Sequence, residues 1–220
     1  MAESLFWEYE FWPPDDGVAL IAIGERIKKG TFRPCVTTIP FSTISGALRQ
    51  HYGRRDINAA GFFEGELQKV RIDHSANNRA IECADLPLTT EALVNPRGKI
   101  YILVKNDSVD LSGILDGSGP FRLVMGALKS KGLGCCQLRK TSEIWIRDPK
   151  TAKKLGVLKT RIPEDEAALF GIEKVDIVSP VYGYLFKPTS ITDGVYVRSL
   201  FEGSVVRGYG FLLKEIGQNG

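Results

Sequence analysis

Met125-Gly126-Ala127-Leu128-Lys129-Ser130-Lys131-Gly132-Leu133-Gly134 is a glycine-rich, basic hinge, and Phe201-Glu202-Gly203-Ser204-Val205-Val206-Arg207-Gly208-Tyr209-Gly210 repeats its plan near the C-terminus. Each reaches a Gly-x-Gly step beyond a cation and runs into an apolar segment. A feature that occurs twice divides the chain into two related halves, here 1–147 and 148–220. Glycine allows positive φ and close approach of a backbone to a ligand, and exposed amides beside Lys or Arg favour an anionic partner. Phosphate, and RNA in particular, is the partner this suggests. Neither copy follows a strand and opens a helix, so neither is a dinucleotide fingerprint.

Outward from the first hinge, Phe121, Val124, Met125 and Leu128 recur at helical spacing, which predicts a helix from about Ser118-Gly119-Pro120. The hinge would end that helix and feed a strand through Cys135-Cys136-Gln137-Leu138. Upstream, Lys99-Ile100-Tyr101-Ile102-Leu103-Val104-Lys105 reads as a strand, and Gly17 to Gly24 as a short buried one. A helix is predicted from Ser42 as N-cap, with Ile44, Ala47, Leu48, His51 and Tyr52 on its apolar side and Gly53 at its end. Gly46 inside it suggests close approach by a backbone or a ligand. The segment from Gly65 to Ala84 keeps no clear period.

This order, strand, helix, strands, helix, strand, is that of a ferredoxin-like (RRM-like) unit. Beyond Asp148-Pro149-Lys150, strands are expected at Val175 to Phe186, Gly194 to Phe201 and Gly208 to Ile216. The fold class is therefore α+β: two ferredoxin-like halves with antiparallel sheets, the second degenerate and strand-rich.

The 220 residues are 43% hydrophobic and 25% charged, with a net charge of only +3. A chain of this kind is globular, and nucleic acid would be met by local patches rather than by overall charge. Lys28-Lys29, Arg54-Arg55, Lys129 with Lys131, Arg139-Lys140 and Lys153-Lys154 are candidates, or else solvated faces. The four cysteines, Cys35, Cys83, Cys135 and Cys136, show no C-x-x-C spacing, and adjacent Cys135 and Cys136 would point to opposite faces of a strand. Neither a zinc site nor a disulfide framework is expected, and a reducing, cytoplasmic setting follows. The acidic start lacks the features of a signal peptide, and no apolar stretch approaches the roughly 20 residues that span a bilayer.

Ile39-Pro40-Phe41-Ser42-Thr43-Ile44-Ser45-Gly46-Ala47-Leu48-Arg49 resembles the Pro-x-Ser-x-x-x-Gly-x-Leu-Arg opening of the first helix in the RAMP superfamily of CRISPR effector proteins. The two hinges resemble that superfamily's glycine-rich loop. Within it, the chain looks like the group that caps the 5′ end of the guide RNA and pairs with the large polymerase-like subunit in type III complexes; Pro180 to Phe186 adds to the likeness, and Gly65 to Pro96 contributes nothing. The resemblance implies binding of the 5′ repeat-derived tag of a CRISPR guide RNA and docking onto neighbouring subunits, the large subunit and backbone subunits among them. It implies no cofactor, metal or membrane. The chain is shorter than many capping subunits, which leaves the type of complex open.

The expected RNA contacts are Ser42, Ser45, Gly46, Arg49, Arg54 and Arg55 around the first helix, and Lys129, Ser130, Lys131, Gly132 and Gly134 in the first hinge. Arg207, Gly208, Tyr209 and Gly210 are expected in the second, with Tyr209 as a stacking ring or else a core ring. A non-catalytic role is the leading reading. The alternative is a metal-independent endoribonuclease in which His51, supported by Tyr52, serves as acid or base, against a structural histidine on the apolar side of the helix. The loop from Lys28 to Ile39 holds no Asp or Glu, which disfavours metal-assisted cleavage from there. A third reading is a protein-only scaffold, in which the aromatic, acidic start, Phe6 to Trp12, forms an interaction edge or else alternates in and out of the first sheet.

Overall fold

Strand β1 (Ser4–Trp12) alternates its aromatic residues between two cores. Leu5, Trp7, Tyr9 and Phe11 pack on one face, and Phe6 on the other. The chain continues through β2 (Leu20–Ile21), β3 (Phe32–Arg33), helix α1 (Phe41–Tyr52), β4 (Asn58–Glu64) and β5 (Gln68–His74). Then come β6 (Asn77–Asn78), β7 (Cys83–Ala84), β8 (Leu88–Val94), β9 (Arg97–Lys105), β10 (Phe121–Val124) and β11 (Cys135–Ile146). The structure is a computed structural model that describes residues 3–24, 31–75, 77–78, 83–84, 87–115, 119–176, 178–189 and 193–216.

The main sheet has the order β10-β11-β1-β9-β4 and is antiparallel throughout. Ranked along the chain, β1, β4, β9 and β11 stand as 4-1-3-2 in space. β1 is central, so the Phe6 to Trp12 segment is interior to the sheet and forms no edge. β9 is buried on both faces: Ile100, Ile102 and Val104 meet α1's side, Tyr101 and Leu103 the other. Double burial explains why this strand reads as one apolar run rather than as an alternation. The stretch from Gly65, weak in sequence, holds β5, which pairs antiparallel with β8; most of β5's side chains are exposed, so no apolar period marks it. Of the apolar run at 17–24 only Leu20 and Ile21 are strand, although Ala19, Ile21, Ala22 and Ile23 are buried.

The predicted helix near Phe121 is a strand instead. Leu123 and Met125 point inward while Arg122 and Val124 are exposed, a period of two, and β10 pairs with the start of β11. The backbone then takes positive φ at Gly126 (93°) and Leu128 (56°), which no helix accommodates. As expected, Cys136 is buried and Cys135 is on the more open face.

The second part comprises β12 (Lys153–Leu158), β13 (Ile162–Pro163), the single-turn helix α2 (Glu164–Ala167), β14 (Glu173–Lys174), β15 (Tyr182–Pro188), β16 (Gly194–Leu200), β17 (Val205–Tyr209) and β18 (Leu213–Lys214). The strand expected from Val175 to Phe186 therefore starts only at Tyr182. That expected from Gly208 to Ile216 is broken by a 3-10 turn at Gly210–Leu212. One sheet has the order β14-β17-β12-β18 and another β13-β16-β15. In the first of these, the chain ranks again read 4-1-3-2 from β18 to β14. A second core joins both parts: Phe6, Phe41, Phe62, Tyr101 and Leu103 meet Leu158, Ile162, Phe170, Leu212 and Leu213. Phe6 lies 5.6 Å from Phe170, ring to ring. Backbone contacts tie the same seam, with the Phe41 amide donating to Arg161 at 2.8 Å.

Candidate nucleic-acid interface

Helix α1 is capped by Pro40 with no side-chain hydrogen bond and carries no acidic residue in its first turn. Ser42 is thus inside the first turn rather than its cap. The Phe41 amide is taken by the Arg161 carbonyl and the Thr43 amide by the Pro40 carbonyl, so it is the helix dipole, with no acidic side chain opposing it, that favours an anion at this end. Ser45 is fully buried: its hydroxyl donates to the Ala59 carbonyl and accepts from the Ala59 amide, both at 3.0 Å. Arg49 donates from Nε to the Ile57 carbonyl and from Nη2 to Asn58 Oδ1, each at 2.7 Å. These two residues anchor α1 on β4. Gly46 is exposed, and a Cβ there would meet no atom within 4 Å.

The first hinge is a strap against β2. The Ala127 amide donates to Ala22 at 2.7 Å, and the Gly134 amide to Leu20 at 2.8 Å. At Gly126 a Cβ would overlap the Ala22 carbonyl, and at buried Gly134 the Met125 carbonyl, so both glycines serve the chain's own backbone. Between them Lys129–Lys131 form an exposed 3-10 turn ending at exposed Gly132. Lys129 Nζ donates to Gln50 Oε1 at 3.1 Å, and partial burial pushes its ammonium pKa down. A groove of about 350 Å³ lies between this loop and α1, lined by Gly24, Ser42, Thr43, Gly46, Gly126 and Lys129 among others. The structure therefore brings Ser42, Gly46 and Lys129 to one place, with Ser130 and Lys131 on the same exposed turn. Thr43, from the Ile39–Arg49 segment, and Gly126, from the first hinge, join them.

The second hinge is a strand and a turn, not a loop. Arg207 is exposed in β17 opposite Glu173 and Leu155, Gly208 is buried, and Gly210 opens the 3-10 turn. Tyr209 is 5% exposed, wedged against Gly171 and 5.8 Å from the Phe6 ring, so it is a core ring closed to bases. The two hinges do not form equivalent sites. Arg54 is bound by both carboxylate oxygens of Asp56, whereas Arg55 is exposed with no ion pair among the described residues. Lys28-Lys29 lie outside the described residues.

His51 is exposed rather than set in the apolar side of α1. Its ring stacks on Phe121 at 4.9 Å and meets Tyr52 edge-on at 4.7 Å. Neither His51 nor Tyr52 lines the groove. Among the described residues no cluster of His, Cys, Asp and Glu could hold a metal ion, and no helix is long and apolar enough to cross a membrane.

The molecule is thus an α+β protein of mostly antiparallel sheets and few helices, consistent with an RRM-like fold. Its fold is similar to a chain of the type III-B Cmr-beta complex bound to cognate target RNA, with a TM-score of 0.55 and 11% identity over 91% of this chain and 86% of that one. It is similar also to a chain of Cmr-beta bound to cognate target RNA and AMPPnP, state 1, with a TM-score of 0.54 and 10% identity over the same shares. No protein-family model and no curated protein matches the sequence.

Proposed function

We propose that this chain is a non-catalytic RNA-binding subunit of a type III CRISPR effector complex, holding the 5′ repeat-derived tag of the guide RNA. The observation that carries this is the groove between α1 and the Lys129–Lys131 turn, set in a fold like that of chains from RNA-bound Cmr-beta complexes. The dipole of a helix end free of acidic side chains, exposed cations and a glycine without a Cβ suit a sugar-phosphate backbone. The repeated 4-1-3-2 strand order supports two ferredoxin-like halves, 1–147 and 148–220, with the β13-β16-β15 sheet inserted into the second. Neighbouring subunits, including a large polymerase-like subunit and backbone subunits, complete the RNA path.

Salt titration of the affinity for single-stranded repeat RNA tests the groove. Replacing Lys129 and Lys131 by alanine should flatten the log-log slope by about 1.4, at about 0.7 per lost phosphate contact. An unchanged slope removes this turn from the site. A further fall with Arg207→Ala would extend the RNA path across β17.

A further inference from the structure

A second cavity, of about 250 Å³, opens on the other side of Gly46, between α1 and the β15–β16 hairpin. Most of its wall is apolar, from Phe41, Leu185, Phe186 and Val197, yet Arg49, Glu166 and Lys187 also line it. Arg49 uses Nε and Nη2 to hold β4, which leaves Nη1 without a partner among the described residues. Glu166 accepts from Lys187 through Oε1 at 3.2 Å, and its Oε2 has no partner among the described residues. The two side chains form no ion pair with each other; burial pushes the Arg49 pKa down, and the field of Glu166 offsets this only in part.

This lining discriminates between ligands. A phosphate would meet the Glu166 carboxylate, and the Lys187 ammonium is already held by Asp165 and Glu166. A purely hydrocarbon side chain would cut Arg49 Nη1 and Glu166 Oε2 off from water without a partner, which is costly. A flat ring with apolar faces and both an acceptor and a donor edge satisfies both atoms. Guanine has that pattern, with O6 and N7 as acceptors for arginine and N1–H and N2–H as donors for a carboxylate. The volume lies below the roughly 300–1,000 Å³ of drug-sized pockets and suits a single ring system. Ser42 and Gly46 line both this cavity and the groove, so a strand following the groove passes its mouth. We propose that this cavity takes one unstacked guanine base of the RNA. The route of the strand rests on the function proposed above; recognition of the base itself does not.

Titration of the full chain with the four nucleoside 5′-monophosphates, followed by saturation-transfer NMR, tests this. Guanosine monophosphate should saturate with a millimolar Kd, about tenfold tighter than the other three, the scale of one well-paired base edge. Val197→Phe fills the cavity and should weaken it by at least about tenfold at an unchanged melting temperature. Should that variant fail to fold, Glu166→Ala removes the acceptor and should bring guanosine monophosphate to the affinity of the adenosine analogue. Equal binding of all four nucleotides, absence of saturation, or indifference to both variants overturns the proposal. Preferential binding of N-acetyltryptophanamide overturns it in favour of a protein side chain. Guanosine monophosphate binding that persists while the Lys129 and Lys131 variant keeps the wild-type salt slope would sink the groove and leave the base pocket standing. The opposite pair of results sinks the pocket alone.

Discussion

Gly46 stands in the middle of α1, exposed and clear of every neighbour, where glycine costs about 1 kcal/mol relative to alanine. Packing gives no reason for it, and it lines both cavities. Gly46→Leu should therefore stabilise the protein by up to about 1 kcal/mol in urea unfolding. The same change should weaken single-stranded RNA on the order of tenfold by filling the groove. Retained affinity would show that RNA does not pass there. Gly134 is the opposite case: at φ 92° and against the Met125 carbonyl, it leaves no room for a Cβ. Gly134→Ala should cost about 1–3 kcal/mol of stability, measured in the same way. Both glycines belong to motifs that the sequence presents alike. Ser45 and Arg49 make the same point, since a polar residue in a motif looks the same whether it meets a ligand or, as here, the neighbouring strand.

Among the elements, α1 was legible from its apolar period and its glycine stop, and β9 from its run of β-branched residues. β10 was not. In four residues, Phe121 to Val124, a period of two and one of 3.6 cannot be separated, and what excludes the helix is the positive φ of Gly126 and Leu128 beyond it. The exposed C-terminal end of α1 bears on catalysis, because His51 and Tyr52 lie away from both cavities. Incubation with repeat RNA in EDTA should leave the RNA intact. Site-specific cleavage that His51→Ala abolishes would replace the capping role with endoribonuclease chemistry.

For the molecule as a whole, the main sheet is covered on one face by α1 and on the other by the second part of the chain, with Phe170 at the centre of the seam. Phe170→Ala should cost about 3–5 kcal/mol, read by denaturant unfolding. The Arg161 fork onto Glu202, at 2.8 and 2.7 Å, holds within the second part the residue whose carbonyl receives the Phe41 amide across the seam, and Glu8 sits on the sheet between Thr141 and Lys99. Burial raises both carboxyl pKa values, but hydrogen bonds from these partners outweigh it and both end below the ordinary value. A carboxyl depressed in the folded state contributes stability that is full above its unfolded pKa, about 4.3, and lost as pH falls through the folded one. Stability should accordingly decline below about pH 4.3, and less steeply in Glu202→Gln. An identical decline in that variant would remove Glu202 from the linkage. By itself the sequence determined the α+β class, the strand β9 and α1, because hydrophobic period, turn residues and local motifs are properties of neighbouring residues. Only the tertiary structure decided that Tyr209 is core, that the second hinge is a strand, that Ser45 and Arg49 brace β4, and that a cavity joins α1 to a hairpin over a hundred residues away. Each of these depends on a partner remote along the chain, such as Gly171 behind Tyr209, Ala59 beside Ser45 or Glu166 facing Arg49, and no local pattern encodes which partner packing will supply.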